Sequence, residues 1–136
     1  MASADSGPLE HLNEAERRCL RSYIATLADR LGDNLIEVWL FGSVARGDVW
    51  SERFSVHSDI DLLVLTRQPP SPALVEELSN DTYPLFLECG RQMATQWRTV
   101  DQWASPAGHR ARSFVARVSE EGRKLYPAGQ PAIWPA

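Results

Sequence analysis

The sequence lacks the features of a membrane or secreted protein, and it has no excess of basic charge. No apolar run approaches the ~20 residues of a membrane-spanning helix. Residues 1–5 lack the basic and apolar regions of a signal peptide. Broad, non-specific binding of nucleic acid needs a basic surface, whereas the net charge here is −4 and the pI is about 5.3. We therefore expect a cytoplasmic protein that neither enters a membrane nor binds nucleic acid.

Cysteines are also few. Cys19 and Cys89 have no metal-ligand spacing, so we interpret them as buried thiols of a reducing compartment rather than as a disulfide. The 136 residues, 43% of them hydrophobic, suffice for one domain with a modest core. We predict one domain over residues 9–126, a flexible tail at 1–8 and an irregular tail at 127–136.

Hydrophobic periodicity predicts alternating helices and strands. Asn13 and Glu16 form a capping box that begins a first helix, which has an apolar stripe and ends at Gly32. Two strands are predicted next, at 35–41 and 60–65, followed by a broken helix between 72 and 89 and a third strand at 92–99. A helical turn around Trp103, a helix at 109–121 and a short edge strand at 125–126 complete the predicted elements.

Two features within residues 40–65 indicate chemistry. The first strand ends at Gly42, and Ser43 is suited to cap a short helix that Gly47 ends early. The open N-terminus of such a helix presents backbone N–H groups and a partial positive charge, which suit a phosphate. This segment therefore predicts a phosphate-binding loop.

The second feature is a pair of carboxylates, Asp59 and Asp61, at the start of the next strand. Successive side chains of a strand lie on opposite faces, so these two share one side and Ile60 takes the other. Two such close carboxylates repel each other unless a cation lies between them. Hard oxygen ligands suit Mg²⁺. The pair therefore predicts a metal site that faces the phosphate loop.

The combined pattern Gly42-Ser43-x-x-x-Gly47 … Ser58-Asp59-x-Asp61 resembles the signature of the nucleotidyltransferase superfamily that includes DNA polymerase β. It is most similar to the single-domain branch, the minimal nucleotidyltransferases. This two-part motif is specific and covers about a fifth of the chain. Residues 90–103 and 112–126 are similar to the tail of one bacterial branch. The resemblance implies an α/β (α+β) fold in which helices pack on a small mixed β-sheet.

The resemblance also implies an activity and its cofactor. The expected substrate is a nucleoside triphosphate, ATP, which would place its phosphates on the turn at Gly42 and Ser43. Asp59 and Asp61 would be the catalytic and metal-binding residues, and their Mg²⁺ would assist attack of a hydroxyl on the α-phosphorus. AMP would be transferred and pyrophosphate released.

Three further residues within the motif are Arg46, Gly47 and Ser58. Gly47 and Ser58 complete the nucleotide-binding set that the resemblance implies. Arg46 either pairs with a phosphate or is a solvated helix residue. The segment 48–57 is longer than the family's usual connection, and it forms either a lid over the site or a surface loop, with His57 as a loop histidine.

Active relatives add a third carboxylate from a neighbouring strand, but the matching strand at 92–99 contains none. Glu88 precedes this strand and Asp101 follows it, so each is a candidate third ligand. The simpler interpretation makes Glu88 a surface residue at a helix end and Asp101 a helix-capping residue. A site without a third carboxylate indicates one metal, a group supplied by a partner, or a weak enzyme.

The length of the chain bears on where the acceptor of the transferred nucleotide comes from. A chain of 136 residues leaves no room for an acceptor-binding domain, so we expect a second protein or a homodimer to supply it. The resemblance implies a HEPN-like partner, as in toxin–antitoxin modules whose nucleotidyltransferase adenylylates the toxin. Two alternatives remain: a weak or inactive nucleotide-binding antitoxin that acts by contact, and a small-molecule transferase of the aminoglycoside-modifying kind.

Overall fold

The structure is a computed structural model, and it describes residues 12–42 and 59–127. The predicted helices and strands are present in these ranges, most within one or two residues of their expected bounds. They are α1 (Glu14–Leu31), a 3₁₀ turn (Gly32–Asn34), β1 (Leu35–Phe41), β2 (Ile60–Thr66), α2 (Pro72–Asn80), α3 (Thr82–Cys89), β3 (Met93–Thr99), α4 (Val100–Ala104), α5 (His109–Glu121) and β4 (Arg123–Tyr126). No described helix is long and apolar enough to cross a membrane.

The four strands form one mixed sheet in the order β3-β2-β1-β4. The pairs β1–β2 and β1–β4 are antiparallel, whereas β2 and β3 are parallel. Asp61 lies between Phe41 of β1 and Ala94 of β3 in this register. The expected mixed sheet is therefore confirmed, and β4 is the predicted edge strand.

Helices cover both faces of the sheet. On one face, a core that we call the α1 face joins α1 and α3 to alternate strand residues, among them Leu40, Ile60, Leu62 and Met93. On the opposite face, which we call the α5 face, the intervening residues Trp39, Phe41, Leu63 and Leu65 pack with α4 and α5. Because β2 is buried on both sides, six of its seven residues are inaccessible, and Asp61 is the exception.

Local capping fixes where α1 begins. The Asn13 side chain accepts a hydrogen bond from the Glu16 N–H at 2.8 Å, and Oε1 of Glu16 accepts one from the Asn13 N–H at 3.0 Å. The predicted capping box is therefore present. Oε2 of Glu16 also lies 3.1 Å from Nε of Arg91, in an ion pair whose two side chains are only 8% and 12% exposed. This pair links the start of α1 to the chain just beyond α3.

The predicted break in the second helical segment separates α2 from α3 at Asp81. Ser71 caps α2 and Pro72 occupies its first turn, while Gly90 ends α3 with a left-handed φ of 79°. The phenol of Tyr23 on α1 donates a hydrogen bond to the Leu78 carbonyl of α2 at 3.1 Å. This buried bond links the broken helix to the α1 face.

Candidate active site

Asp61 lies at the open end of the sheet, as the second residue of β2. Ile60 is part of the α1-face core, so strand alternation directs Asp61 to the α5 face. Its side chain lines a cleft there, together with Phe41 and residues of α5. The predicted separation of Asp61 from Ile60 is thus confirmed.

Gly42 follows β1 and packs directly against the Asp61 carboxylate. Its φ of +81° lies in the left-handed region, which other residues rarely adopt. A Cβ built at Gly42 would overlap Oδ2 of Asp61 and would lie 3.2 Å from its Cγ. Both the backbone conformation and the close approach therefore require glycine here. The glycine of the predicted phosphate loop and the carboxylate of Asp61, a predicted metal ligand, are therefore neighbours in space as well as in the motif.

Asp59 lies just before β2 and is exposed. The next residue, Ile60, donates its N–H to the Gln92 carbonyl at 2.9 Å, which ties the start of β2 to the chain before β3. That Asp59 and Asp61 bind one cation together stays a prediction. The other predicted site residues, Ser43, Arg46, Gly47 and Ser58, lie outside the described residues, as do the 48–57 segment and His57.

The structure brings neither candidate third ligand to Asp61. Glu88 belongs to α3 on the α1 face, where it forms an ion pair with Arg18 at 3.5 Å. Asp101 lies in the first turn of α4, beyond Thr99, and Thr99 pairs with Thr66 at the far end of β2. Thr66 is five residues along β2 from Asp61, which corresponds to about 16 Å. Glu88 is therefore on the wrong face of the sheet, and Asp101 is at the wrong end of it.

The strand beside Asp61 offers uncharged side chains instead. Ala94 is the register partner of Asp61, and Gln96 is the next β3 residue on the α5 face. Among residues 12–42 and 59–127, no group of three or more histidine, cysteine, aspartate or glutamate side chains is placed to hold a metal ion. The described part of the site therefore has carboxylates only from the Asp59–Asp61 pair and from the end of α5.

The cleft has a volume of about 780 Å³, which falls within the range of small-molecule sites. The sheet forms its floor and α5 forms one wall. Its charged and polar lining residues are Asp61, Gln96, Arg98, Arg110, Arg117 and Glu121. The family motif identifies only the first of these. Arg110, Arg117 and Glu121 could have been suspected from the helical spacing of 110, 114, 117 and 121, which puts these four positions on one side of α5. Gln96 and Arg98 instead lie on β3.

Phe114 lies at the centre of this wall. Its ring packs edge-on against Phe41 with centroids 5.3 Å apart, and against Trp103 at 5.8 Å. The guanidinium carbons of Arg98 and Arg117 lie 5.1 Å and 5.7 Å from the centre of the same ring. These distances are typical of cation–π contacts. The ring therefore joins the core of the α5 face to two cations of the cleft.

Comparison with known proteins identifies the family of the chain. The nucleotidyltransferase domain family matches residues 20–93, more than half of the 136-residue chain. The matched span runs from α1 to the start of β3 and contains Gly42, Asp59 and Asp61. No curated protein sequence gives a significant match.

Solved structures of toxin–antitoxin complexes share the fold. A mutant of the toxin–antitoxin MntA–HpeT is similar with a TM-score of 0.54 and 23% identity, over 88% of this chain and 76% of the other. A toxin–antitoxin with AMP-PNP gives 0.52 and 20% over 80% and 74%. The toxin–antitoxin MntA–HepT gives 0.50 and 18% over 81% and 71%. Two of these three complexes contain MntA. With the fold shared and more than half of its residues matched, the chain belongs to the nucleotidyltransferase domain family.

Proposed function

We propose that the protein transfers AMP from Mg²⁺-bound ATP to a hydroxyl group of a HEPN-like protein partner. The observation that carries the proposal is the contact between Gly42 and the Asp61 carboxylate at a cleft of nucleotide size. The family match supports nucleotidyl transfer as the class of reaction. A similar structure contains AMP-PNP, which supports an adenine triphosphate as donor.

The described residues fit a Mg²⁺ ion. Mg²⁺ keeps several of its waters and is commonly held by one or two carboxylates together with substrate phosphates. Asp61 offers its carboxylate at the cleft, and Asp59 lies two residues away at the exposed start of the same strand. A third protein carboxylate is therefore not needed for one ion. Bound Mg²⁺ would neutralise phosphate charge and lower the pKa of the acceptor hydroxyl.

The chain's own residues would position the reactants. Gly42 allows the backbone to turn beside Asp61 without a Cβ, so a phosphate can lie close to both. In the reaction, the acceptor oxygen bonds to the α-phosphorus while the bond to the leaving pyrophosphate breaks, and the hydroxyl proton is released. The two oxygens must be roughly in line. Rigid placement of Asp61 between β1 and β3 supports such alignment.

The proposal of a protein partner is supported by the complexes in which similar chains have been solved. The similar solved chains come from toxin–antitoxin complexes. The described residues of this chain would bind the triphosphate donor. A partner that brings its own hydroxyl to the cleft would supply the acceptor.

The test is transfer of label from α-labelled ATP to a HEPN-like protein encoded beside the gene. We expect Asp61→Asn and Asp59→Asn to lower transfer by at least about 100-fold, because stabilisation of developing phosphate charge supplies most of the rate. Asp101→Asn is the matched control, since this exposed carboxylate lies at the far end of β2. Equal labelling by Asp61→Asn and by the unchanged protein would overturn the proposal.

A second candidate, an antitoxin that acts by contact, is favoured by one observation. The residue beside Asp61 on β3 is Ala94, so this strand adds no carboxylate to the site. This candidate predicts that the Asp59→Ala/Asp61→Ala variant still binds its partner and still suppresses its toxicity. Loss of suppression while binding persists would exclude it.

A further inference from the structure

We propose that Arg98, Arg110 and Arg117 form a phosphate-binding wall of the cleft, and that Phe114 is the positioning residue for two of them. The ligand of this wall is the phosphate chain of the nucleoside triphosphate. The identity of that ligand rests on the proposed function. The existence of a polyphosphate site rests on the cleft itself and can be tested separately.

The wall is built from two elements that meet over the sheet. Arg110 and Arg117 lie on the same side of α5, because seven residues make about two turns. Arg98 reaches the cleft from β3, where it pairs with Leu65 of the α5 face. All three line the cleft that also contains Asp61 and Gly42.

The direction of α5 places Arg117 next to the metal-binding end. Arg123, just after α5, pairs with Leu40, one residue before Phe41, and Phe41 is the register partner of Asp61. The C-terminal end of α5 therefore lies at the Asp61 end of the sheet. Arg117 is about 6 Å from that end along the helix axis, and Arg110 lies about 10 Å further on. A phosphate chain leaving Asp61 would meet Arg117 first, and the long side chains of Arg98 and Arg110 would reach it from farther along the cleft.

The charges of the cleft are separated in a way that suits a metal–polyphosphate. The carboxylates of Asp61 and Glu121 lie toward the metal-binding end, Arg117 lies one helical turn from Glu121, and Arg98 and Arg110 lie farther from that end. In the part of the chain that the structure describes, none of the three guanidinium groups forms an ion pair with a carboxylate. Three like charges around one cleft repel each other unless an anion lies between them. A phosphate chain supplies that anion.

Phe114 gives the wall its geometry. Its ring is fixed by edge contacts with Phe41 and Trp103, and it attracts the guanidinium groups of Arg98 and Arg117 from two different elements. Nη1 of Arg98 also donates a hydrogen bond to the Trp97 carbonyl at 2.8 Å, which restrains that side chain further. Guanidinium groups held in this manner can present paired N–H donors to phosphate oxygens.

The experiment measures binding of inorganic tripolyphosphate, ATP and AMP to the full chain by calorimetry. We expect Arg117→Gln and Arg98→Gln each to lower the affinity for tripolyphosphate and for ATP by about 10- to 100-fold, the usual loss for one charged hydrogen bond. The affinity for AMP, which lacks the β- and γ-phosphates, should fall by no more than a few-fold. Arg112→Gln is the matched control, because Arg112 is an exposed arginine of the same helix that does not line the cleft.

Phe114→Leu tests the positioning role with all three charges retained. We expect weaker tripolyphosphate binding that is not restored by lowering the salt concentration, in a protein whose circular dichroism is unchanged. If Phe114→Leu fails to fold, Arg117→Lys replaces it, since lysine keeps the charge but not the planar donor pair. Arg117→Lys should recover only part of the affinity that Arg117→Gln loses.

Three results would refute the proposed phosphate-binding role of these arginines. The first is that the unchanged protein does not bind tripolyphosphate, and the second is that the arginine variants lose as much affinity for AMP as for tripolyphosphate. The third is a raised KM of these variants for the protein acceptor while their affinity for ATP is unchanged. The last result would assign the arginines to the acceptor. Failure of the proposed function looks different: tripolyphosphate binding would still depend on Arg117, whereas no label would move from ATP to the partner.

Discussion

Replacement of Gly42 by alanine tests the central geometry of the site. The substitution combines two costs, because the backbone φ is +81° and the new Cβ would overlap the Asp61 carboxylate. A left-handed backbone costs a non-glycine residue about 1–2 kcal/mol. Forcing an extra methyl group into a packed position adds about 1–3 kcal/mol. We therefore expect Gly42→Ala to lower the free energy of unfolding by about 2–5 kcal/mol and to displace Asp61.

Gly90→Ala provides the control for the backbone part of this cost. Gly90 has a φ of +79°, almost the same as Gly42, but a Cβ there would have no atom within 4 Å. Its replacement should therefore cost only the about 1–2 kcal/mol of the left-handed backbone. It should leave binding of Mg²⁺-ATP unchanged, because Gly90 ends α3 and lies outside the cleft.

A double-mutant cycle with Asp61→Ala isolates the steric part. In the Asp61→Ala background the carboxylate that the new methyl group would meet is gone, so Gly42→Ala should cost no more than Gly90→Ala. Urea unfolding followed by circular dichroism measures all four proteins. Additive effects, with a coupling below about 0.5 kcal/mol, would refute the close approach of Gly42 to Asp61.

Three further predictions concern groups outside the cleft. Arg91→Ala should lower the free energy of unfolding in urea by about 3–5 kcal/mol, because it removes the ion-pair partner of the buried Glu16 carboxylate. Arg30→Ala removes an exposed ion pair and should lower it by less than about 1 kcal/mol. Equal losses for the two variants would contradict this reasoning. Burial raises the pKa of Tyr23 to about 12 from 10.0, and the nearby negative charge of Asp81 adds to the shift. The contribution of this phenol to the free energy of unfolding should therefore be complete below pH 10 and lost between pH 10 and 12, because the tyrosine of the unfolded chain ionises first. Between pH 8 and 11, the free energy of unfolding of Tyr23→Phe should fall less than that of the unchanged protein. Burial, reinforced by Cys89, also raises the pKa of Cys19 to about 11, so iodoacetamide at pH 8 should label Cys19 far more slowly in the native protein than in urea, and similar rates by mass spectrometry would contradict the burial.

The element boundaries were predictable because they depend on contacts between near neighbours in the chain. Asn13 with Glu16, and Thr99 with Gln102, form capping boxes three residues apart. The glycine that ends α3 acts through its own backbone conformation. Such signals are visible in the sequence since no knowledge of the sheet is needed to recognise them.

The composition of the site was less predictable because it depends on strand order and on the faces of the sheet. The sequence shows that Glu88 lies close to β3, but only the packing of α3 on the α1 face shows that Glu88 points away from Asp61. In the same way, Arg117 is 56 residues from Asp61 in sequence, and the two share a cleft because α5 crosses the opposite face and returns to β1 through β4. Neither fact has a local sequence signal.

These placements bear on how a site without a third strand carboxylate can handle a triphosphate. A third carboxylate would hold a second cation, which stabilises charge on the transferring phosphate. Here β3 contributes Ala94 and Gln96 beside Asp61, and arginines from β3 and α5 supply positive charge to the same cleft. Fixed guanidinium groups can stabilise phosphate charge without a second metal, because preorganised cations act on the same oxygens. The lack of a carboxylate on β3 is therefore compatible with catalysis, provided that the phosphate chain lies against the arginines.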